Sequence, residues 1–432
     1  MAEKQSIVVL GAGFGGLRAA VLIAKKIKNL NLANKYKVVL VDRNNYQTFT
    51  PTLYEAATTS KETANYFQIK EIITFPMAEV IKNLPIKFIN SQVEGIDLIN
   101  GDVHCKAFEV THEELKFDYL VLALGSETNY FDIEGLKENS FALKTFIDAL
   151  KIRDKILDLA ASGKDIIKIV IGGGGSTGVE LAGEIQEWLC QLKKDIRQCV
   201  SQVTIVEASL TILPGFHPKI VNKIQKRLKN LGVEVSVGDS IELIRPGKAI
   251  LKSKREMSYD ILIWTGGVKA VPLVATLPLK TEKRGRIEVA GEMECLPQSS
   301  NLKLYGKIYG IGDAVCFYDI VTGKPIPGVA RAAISQANVA ARNIIEQIKS
   351  IEFKNYKPRI KSYKPMDYPY IIPVGGKWAV AKFGPIVVSG LIGWVIKGLV
   401  ELNYLISILP FWKAMKIWLK GLRIFIQNDR LG

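Results

Sequence analysis

Two glycine-rich stretches carry the spacing that phosphate recognition requires. In the first, Gly11, Gly13 and Gly16 read G-x-G-x-x-G after the apolar run Ile7–Leu10, and Asp42 closes a second run, Val38–Val41. In the second, Gly173, Gly175 and Gly178 follow Lys168–Ile171, and Glu207 closes Gln202–Val206. The first glycine of each set permits a tight turn and the second lets backbone approach a pyrophosphate. The third lets helix and strand pack closely, and the free N–H groups of the helix start face the anion. The terminal acid accepts hydrogen bonds from a ribose. One such fingerprint is weak. Two complete strand–turn–helix–strand–acid contexts, about 160 residues apart, predict two dinucleotides bound by one chain. No arginine follows Glu207 in Ala208–Pro214, which favours NADH over NADPH at the second site.

The elements that must position these residues follow from pattern. A loop of small polar residues after Arg43 leads through Pro51 into a short helix. Short strands are expected at Ile86–Ile89 and Gln92–Ile99, with a turn at Asn100-Gly101 and a partner running through Val110. Tyr119–Gly125 reads as a buried strand ending in glycine, Phe141–Ala160 as a helix, and Tyr259–Gly267 as another strand ending in glycines. Lys307–Asp313 is a further strand, and its closing Gly312-Asp313 suits the ribityl hydroxyls and phosphate of a flavin. The alanine-rich helix after Pro327 offers a face for close packing near a cofactor.

Composition narrows the partners. Of 432 residues, 48% are hydrophobic and 23% charged, which fits an ordered globular chain of two or three domains. The first strand begins within six residues, so no signal or transit peptide is expected. Five scattered cysteines without a C-x-x-C pair argue against a disulfide framework, and three histidines show no metal-ligand spacing. No metal site is therefore read. The net charge is +16, yet no nucleic-acid-binding motif is visible. Residues 351–432 hold thirteen basic and four acidic residues, so +9 of the excess lies in the most apolar fifth of the chain. Basic and apolar together point to a lipid surface. Ile386–Leu409 is long enough to span a bilayer, but Lys397 and Glu401 can pair at i, i+4, which favours a buried amphipathic helix. In Phe411–Gln427, Lys413, Lys416, Lys420 and Arg423 form one helical stripe. Trp412, Met415, Trp418, Leu419, Leu422 and Phe425 or Ile426 take the other side, as in a helix lying among lipid headgroups. A dimer interface is the alternative use of that helix.

The order of motifs resembles the two-dinucleotide flavoprotein reductases, and within them the type II, single-subunit NADH:quinone oxidoreductases. The segment NNYQTFTPTLYEAAT (Asn44–Thr58) is similar to that family's N-x-x-x-F-x-P-L-L-Y-x-x-A-T. GGGSTGVELAGEI (Gly173–Ile185) is close to its NADH fingerprint, and YGIGDA precedes the alanine helix as in the family. The resemblance implies FAD held by Gly11, Ala12, Gly13, Gly15, Gly16, Asp42, Arg43, Thr48, Val93, Ala123, Gly125, Gly312, Asp313 and Ala330. It implies NADH held by Gly173, Gly175, Thr177, Gly178, Glu180, Glu207 and Gly266, with Glu180 near the meeting point of nicotinamide and flavin. In the family the alanine helix reads A-Q-x-A-x-Q. Here Arg331 and Ser335 replace the two glutamines, and Gln336 is one position late. Arg331 at a helix start would add a permanent positive charge near the flavin, so it joins Glu180 as a candidate catalytic residue.

The expected fold is α/β, with two Rossmann-like dinucleotide-binding domains and a C-terminal amphipathic, membrane-associating region. FAD would occupy residues 1–145 and 269–345, NADH 146–268, and residues 346–432 would meet the membrane. The activity implied is hydride transfer from NADH to FAD, then two electrons to a membrane quinone without proton pumping, at the cytoplasmic face as a peripheral protein. A homodimer stays open. So do a soluble NADH-dependent reductase of another acceptor and a membrane-bound flavin sensor or scaffold.

Overall fold

The computed structural model describes residues 4–107, 112–192, 201–302, 304–320 and 322–428. They divide into two compact units. The first gathers Met1–Gln47, Pro76–Glu127 and Val268–Tyr368. Its centre is a seven-stranded sheet in the order Ile308–Gly310, Tyr119–Leu122, Gln5–Leu10, Tyr36–Asp42, Ile86–Asp97, Asp102–Ala107, His112–Lys116. The first five strands are parallel and the last two antiparallel. Parallel strands are covered on both faces, which is why Ile7–Leu10 and Tyr119–Leu122 read as unbroken apolar runs and are fully buried. Helices Phe14–Asn29 and Ala330–Glu352 pack on each other. Small residues permit the approach: a Cβ added at Gly15 would lie 3.3 Å from the Ala333 carbonyl oxygen.

The second unit gathers Thr48–Phe75, Thr128–Gly267 and Pro369–Gly432. Its five-stranded parallel sheet runs Phe141–Ala142, Ile261–Trp264, Ile167–Gly172, Ser201–Glu207, Glu234–Val237. A core of Val170, Val206, Leu262 and Trp264 meets Ile241, Ile244 and Leu251 of an antiparallel three-stranded sheet. The C-terminal segment adds three antiparallel strands within Tyr370–Gly390, then helices Leu391–Ile408 and Phe411–Asn428.

Several expectations change. Ile86–Asp97 is one strand, bulged between Val93 and Gly95, and the end of its expected partner at Val110 lies outside the described residues. Phe141–Ala142 pairs in parallel with Ile263–Trp264, so the helix begins only at Phe146, capped by Thr145 and Asp148. The apolar run 386–409 is split. Ile386–Gly390 pairs with Ala379–Phe383, Gly390 turns the chain at φ +85°, and the helix starts at Leu391. That 18-residue helix is apolar enough to cross a membrane by length and composition. It is not the buried helix expected: only Gly393, Lys397 and Leu405 are buried, while Leu391, Ile392, Val395, Leu399 and Ile406 are exposed. One face is committed to protein, since a Cβ at Gly393 would lie 2.2 Å from the Ala379 carbonyl oxygen. The last helix also divides its apolar side. Ala414, Ile417, Ile424 and Phe425 pack inward, and Trp412, Leu419 and Ile426, seven residues apart, form an exposed line. Cys105, Cys295 and Cys316 are buried, and Cys190 is disulfide-bonded, because spacing along a chain does not report which sulfurs meet in space.

Candidate functional site

Both glycine turns form, and each is held by the acid that closes the following strand. In the first, Gly11 adopts φ +100°, and a Cβ on Gly16 would lie 1.8 Å from the Gly11 carbonyl oxygen. A Cβ on Gly11 would lie 2.2 Å from the Ala123 carbonyl oxygen, so turn and strand end are in contact. Asp42 accepts from the Ala12 N–H at 2.7 Å and the Asn44 N–H at 2.8 Å. Burial raises its pKa above the usual carboxylate value, against the pull of these N–H donors. In the second, Gly173 adopts φ +107°, and a Cβ on Gly178 would lie 2.0 Å from the Gly173 carbonyl oxygen. Buried Glu207 accepts from the Gly174 and Ser209 N–H groups, both at 2.7 Å. The middle glycines differ from their neighbours: a Cβ on Gly13 or Gly175 would meet nothing within 4 Å. Each turn thus keeps open space over its middle glycine.

The third expected element is also assembled. Gly312 sits at φ +74°, with Asp313 accepting from the Ser126 hydroxyl at 2.9 Å. Gln336, 3% exposed, accepts from the Gly312 N–H at 2.8 Å through its side-chain carbonyl. The residue set aside as one position late therefore fixes this turn from the helix. Ala330 opens that helix and Arg331, its second residue, is exposed. Among the other candidates, Gly125 adopts φ +73° just after Tyr119–Leu122, Arg43 is exposed, and Val93 lies opposite Cys105 at the strand bulge. Thr48 falls in the second unit, as do Thr177, Glu180 and Gly266. Thr177 is exposed at the start of helix Ser176–Leu192, and Gly266 lies against the second turn, its Cα 2.6 Å from where a Gly173 Cβ would be.

Glu180, on the same helix, belongs to a charge cluster that sequence reasoning reached only in part. Lys397 donates to Glu55 at 2.8 Å and pairs with Glu401 at 2.8 Å. Its ammonium also lies 5.6 Å from the Tyr54 ring centroid and 5.7 Å from that of Phe425. Glu180 feels this group: burial pushes its pKa up to about 8, with Lys397 opposing and Glu55 adding to the rise. Beside the cluster is a cavity of about 210 Å³. Glu55, Lys397 and Glu401 give it a charged wall, and Phe49, Trp418 and Phe425 give it an apolar one. The i, i+4 pairing of Lys397 with Glu401 was readable, but Glu55 was not, because its partner is 342 residues away.

These features define a two-fingerprint reductase scaffold. A family model described as pyridine nucleotide-disulphide oxidoreductase matches residues 5–337. The type II NADH:quinone oxidoreductase of Staphylococcus haemolyticus is 30% identical over 355 residues, 79% of this chain and 82% of that one. That of Staphylococcus aureus is 29% identical over 354 residues, with the same shares. The chain therefore belongs to the pyridine nucleotide-disulphide oxidoreductases and, among them, to the type II NADH:quinone oxidoreductase family. In fold it is similar to NDH2 of Plasmodium falciparum, solved with NADH, at TM-score 0.81 and 19% identity over 100% of both chains. The sulfide:quinone oxidoreductase of Aquifex aeolicus gives 0.74 and 19%, covering 96% of this chain and 92% of that one.

Proposed function

We propose that this protein is an FAD-dependent NADH dehydrogenase that passes two electrons to a membrane quinone. The observation that carries the reading is the pair of glycine turns, each with an open middle glycine and a carboxylate at the next strand end, in a chain of this family. FAD belongs with Gly11, Ala12, Gly13, Gly15, Gly16, Asp42, Gly312 and Asp313, in residues 1–145 and 269–345. NADH belongs with Gly173, Gly175, Gly178, Glu207 and Gly266, in residues 146–268. FAD, when bound, supplies the two-electron carrier between nicotinamide and acceptor.

The chain's own residues do the rest. Gly13 and Gly175 leave room for the phosphates, and Asp42 and Glu207 hold the turns and face the riboses. The cavity beside Glu55 and Lys397 is shaped for an apolar ring with a polar edge, which supports its use by the quinone headgroup. Making a hydroquinone consumes protons, and Glu180 carries one at neutral pH because its pKa is raised to about 8. Arg331 contributes fixed positive charge at the start of its helix.

Residues 346–432 seat the protein on the cytoplasmic face of the cell membrane as a peripheral protein. Exposed Leu391, Ile392, Val395, Leu399, Trp412 and Leu419 supply apolar contact, and Lys416 and Arg423 supply positive charge toward anionic headgroups. The test is stopped-flow spectroscopy of the FAD-loaded protein. NADH should bleach the flavin absorbance, and a quinone should restore it at a rate that supports turnover. A flavin that NADH does not bleach would refute the dehydrogenase reading; one that quinones leave bleached would point to another acceptor.

A further inference from the structure

Bulky residues rarely hold a left-handed backbone, yet Phe131 and Asp132 do so in succession, at φ 51° and 54°. Asn129 imposes the conformation. Its side-chain Oδ1 accepts from the Phe131 N–H at 2.9 Å, and its carbonyl oxygen accepts from the Trp264 indole N–H at 2.8 Å. Its own N–H donates to the Gly267 carbonyl oxygen at 3.0 Å. The turn is thereby clamped to the end of strand Ile261–Trp264. A packing role would bury the ring, but Phe131 is 51% exposed, resting edge-on against Trp264 with centroids 6.3 Å apart. Strain held at an exposed aromatic points to use rather than to stability.

The position specifies the use. Thr265 donates through its hydroxyl to the Gly172 and Gly173 carbonyl oxygens, at 3.1 and 3.0 Å, so the residues after Trp264 are joined to the second glycine turn. Ring carbons of Phe131 lie 3.2 and 3.3 Å from where a Cβ on Gly267 would be, so only glycine leaves that approach clear. In the sheet, Ile261–Trp264 flanks Ile167–Gly172 on one side and Ser201–Glu207 flanks it on the other. A dinucleotide with its adenosine ribose at Glu207 and its pyrophosphate over the turn therefore extends its other half toward Phe131. We propose that Phe131 binds the nicotinamide riboside half of NADH, its exposed ring walling the cleft over Gly266 and Gly267. The assignment rests on the dehydrogenase reading above.

The test uses FAD-loaded protein with Phe131→Ala and with Phe131→Leu, which keeps apolar cover on Trp264. The dependence of flavin bleaching on NADH concentration gives Kd and limiting rate, and ADP serves as a competitor that lacks the nicotinamide riboside. Loss of one aromatic contact should weaken NADH roughly five- to tenfold in both variants, with the limiting rate within about twofold and ADP inhibition unchanged. An unchanged NADH Kd would overturn the assignment. So would equal weakening of NADH and ADP, which would make the ring a support for the glycine turn. A parent protein that NADH fails to bleach would overturn the dehydrogenase reading and this assignment together, and the parent trace alone distinguishes that failure. If the Ala variant does not fold, the Leu variant decides.

Discussion

Glu207→Gln tests whether one carboxylate performs two tasks, holding the glycine turn and selecting the nucleotide. Its two oxygens accept from Gly174 and Ser209, both at 2.7 Å, so the acid holds the turn before any nucleotide arrives. A glutamine has one carbonyl oxygen and can accept from only one of these N–H groups, while its amide presents a donor to the other. Losing a hydrogen bond to a charged acceptor costs about 1.5–3 kcal/mol, or roughly 10- to 150-fold in affinity if the turn geometry is spent wholly on binding. For NADPH a second effect opposes the loss. A 2′-phosphate about 4 Å from a carboxylate is repelled by about 1–4 kcal/mol across the range from water to protein surface, and glutamine removes that repulsion. NADH should therefore weaken at least tenfold, while the ratio of kcat/KM for NADH over NADPH contracts by roughly tenfold. Glu207→Asp is the control: it keeps the charge but shortens the reach, so it should lose NADH affinity while still rejecting NADPH. Steady-state kinetics with both nucleotides, with thermal melts alongside, supply the readout. If the Gln variant binds NADH like the parent, or both nucleotides weaken equally, the dual role of Glu207 is refuted.

Glu180→Gln should flatten the pH dependence of stability. With a folded pKa of about 8 against an ordinary 4.5, the folded state binds more protons between those values, so Glu180 makes stability fall as pH rises through that window, by up to about 1.4 kcal/mol per unit. Urea unfolding at pH 5 to 8 checks this, and parallel profiles for parent and variant would contradict it. Gln336→Ala strands the Gly312 N–H and should cost about 1–3 kcal/mol, seen as a lower Tm, whereas Gln336→Glu keeps an acceptor and should lose less. Replacing Lys413, Lys416 and Arg423 by Gln should release the protein from anionic vesicles, at roughly 1 kcal/mol per charge near the surface. Adding Lys420→Gln should contribute less than Lys416→Gln or Arg423→Gln, because Lys420 already pairs with Glu71. Flotation with anionic liposomes measures the series, and equal flotation by all variants would favour a protein–protein use of this helix.

The sequence displayed what is local. Glycine spacing sets the turns directly, because Gly11, Gly16, Gly173 and Gly178 stand where a Cβ would strike backbone. Asp42 and Glu207 were readable because a strand end places them beside the turn, although their grip on Ala12, Asn44, Gly174 and Ser209 was not. What stayed hidden depends on distant partners. Phe141 becomes a strand only because Ile263 offers it a parallel edge, against a local pattern that continues helical. The run 386–409 looks uniform in hydropathy, and only the pairing with Ala379–Phe383 divides it at Gly390. The cluster around Lys397 combines both cases: one partner a helical turn away and visible, the other at the far end of the chain.

That last separation has a consequence for how the protein is made. Glu55 and Lys397 are 342 residues apart, and at about 5–20 residues per second a ribosome needs roughly 20–70 s to travel from one to the other. Throughout that interval the nascent chain carries Glu55 without the ammonium that neutralises it and without the two helices that wall the cavity. Burying the carboxylate without that ammonium would be costly, so Glu55 depends on the C-terminal helices for its pairing. Those helices bear the exposed apolar residues that favour lipid. The cavity is thus completed by the same segment that carries those exposed apolar residues.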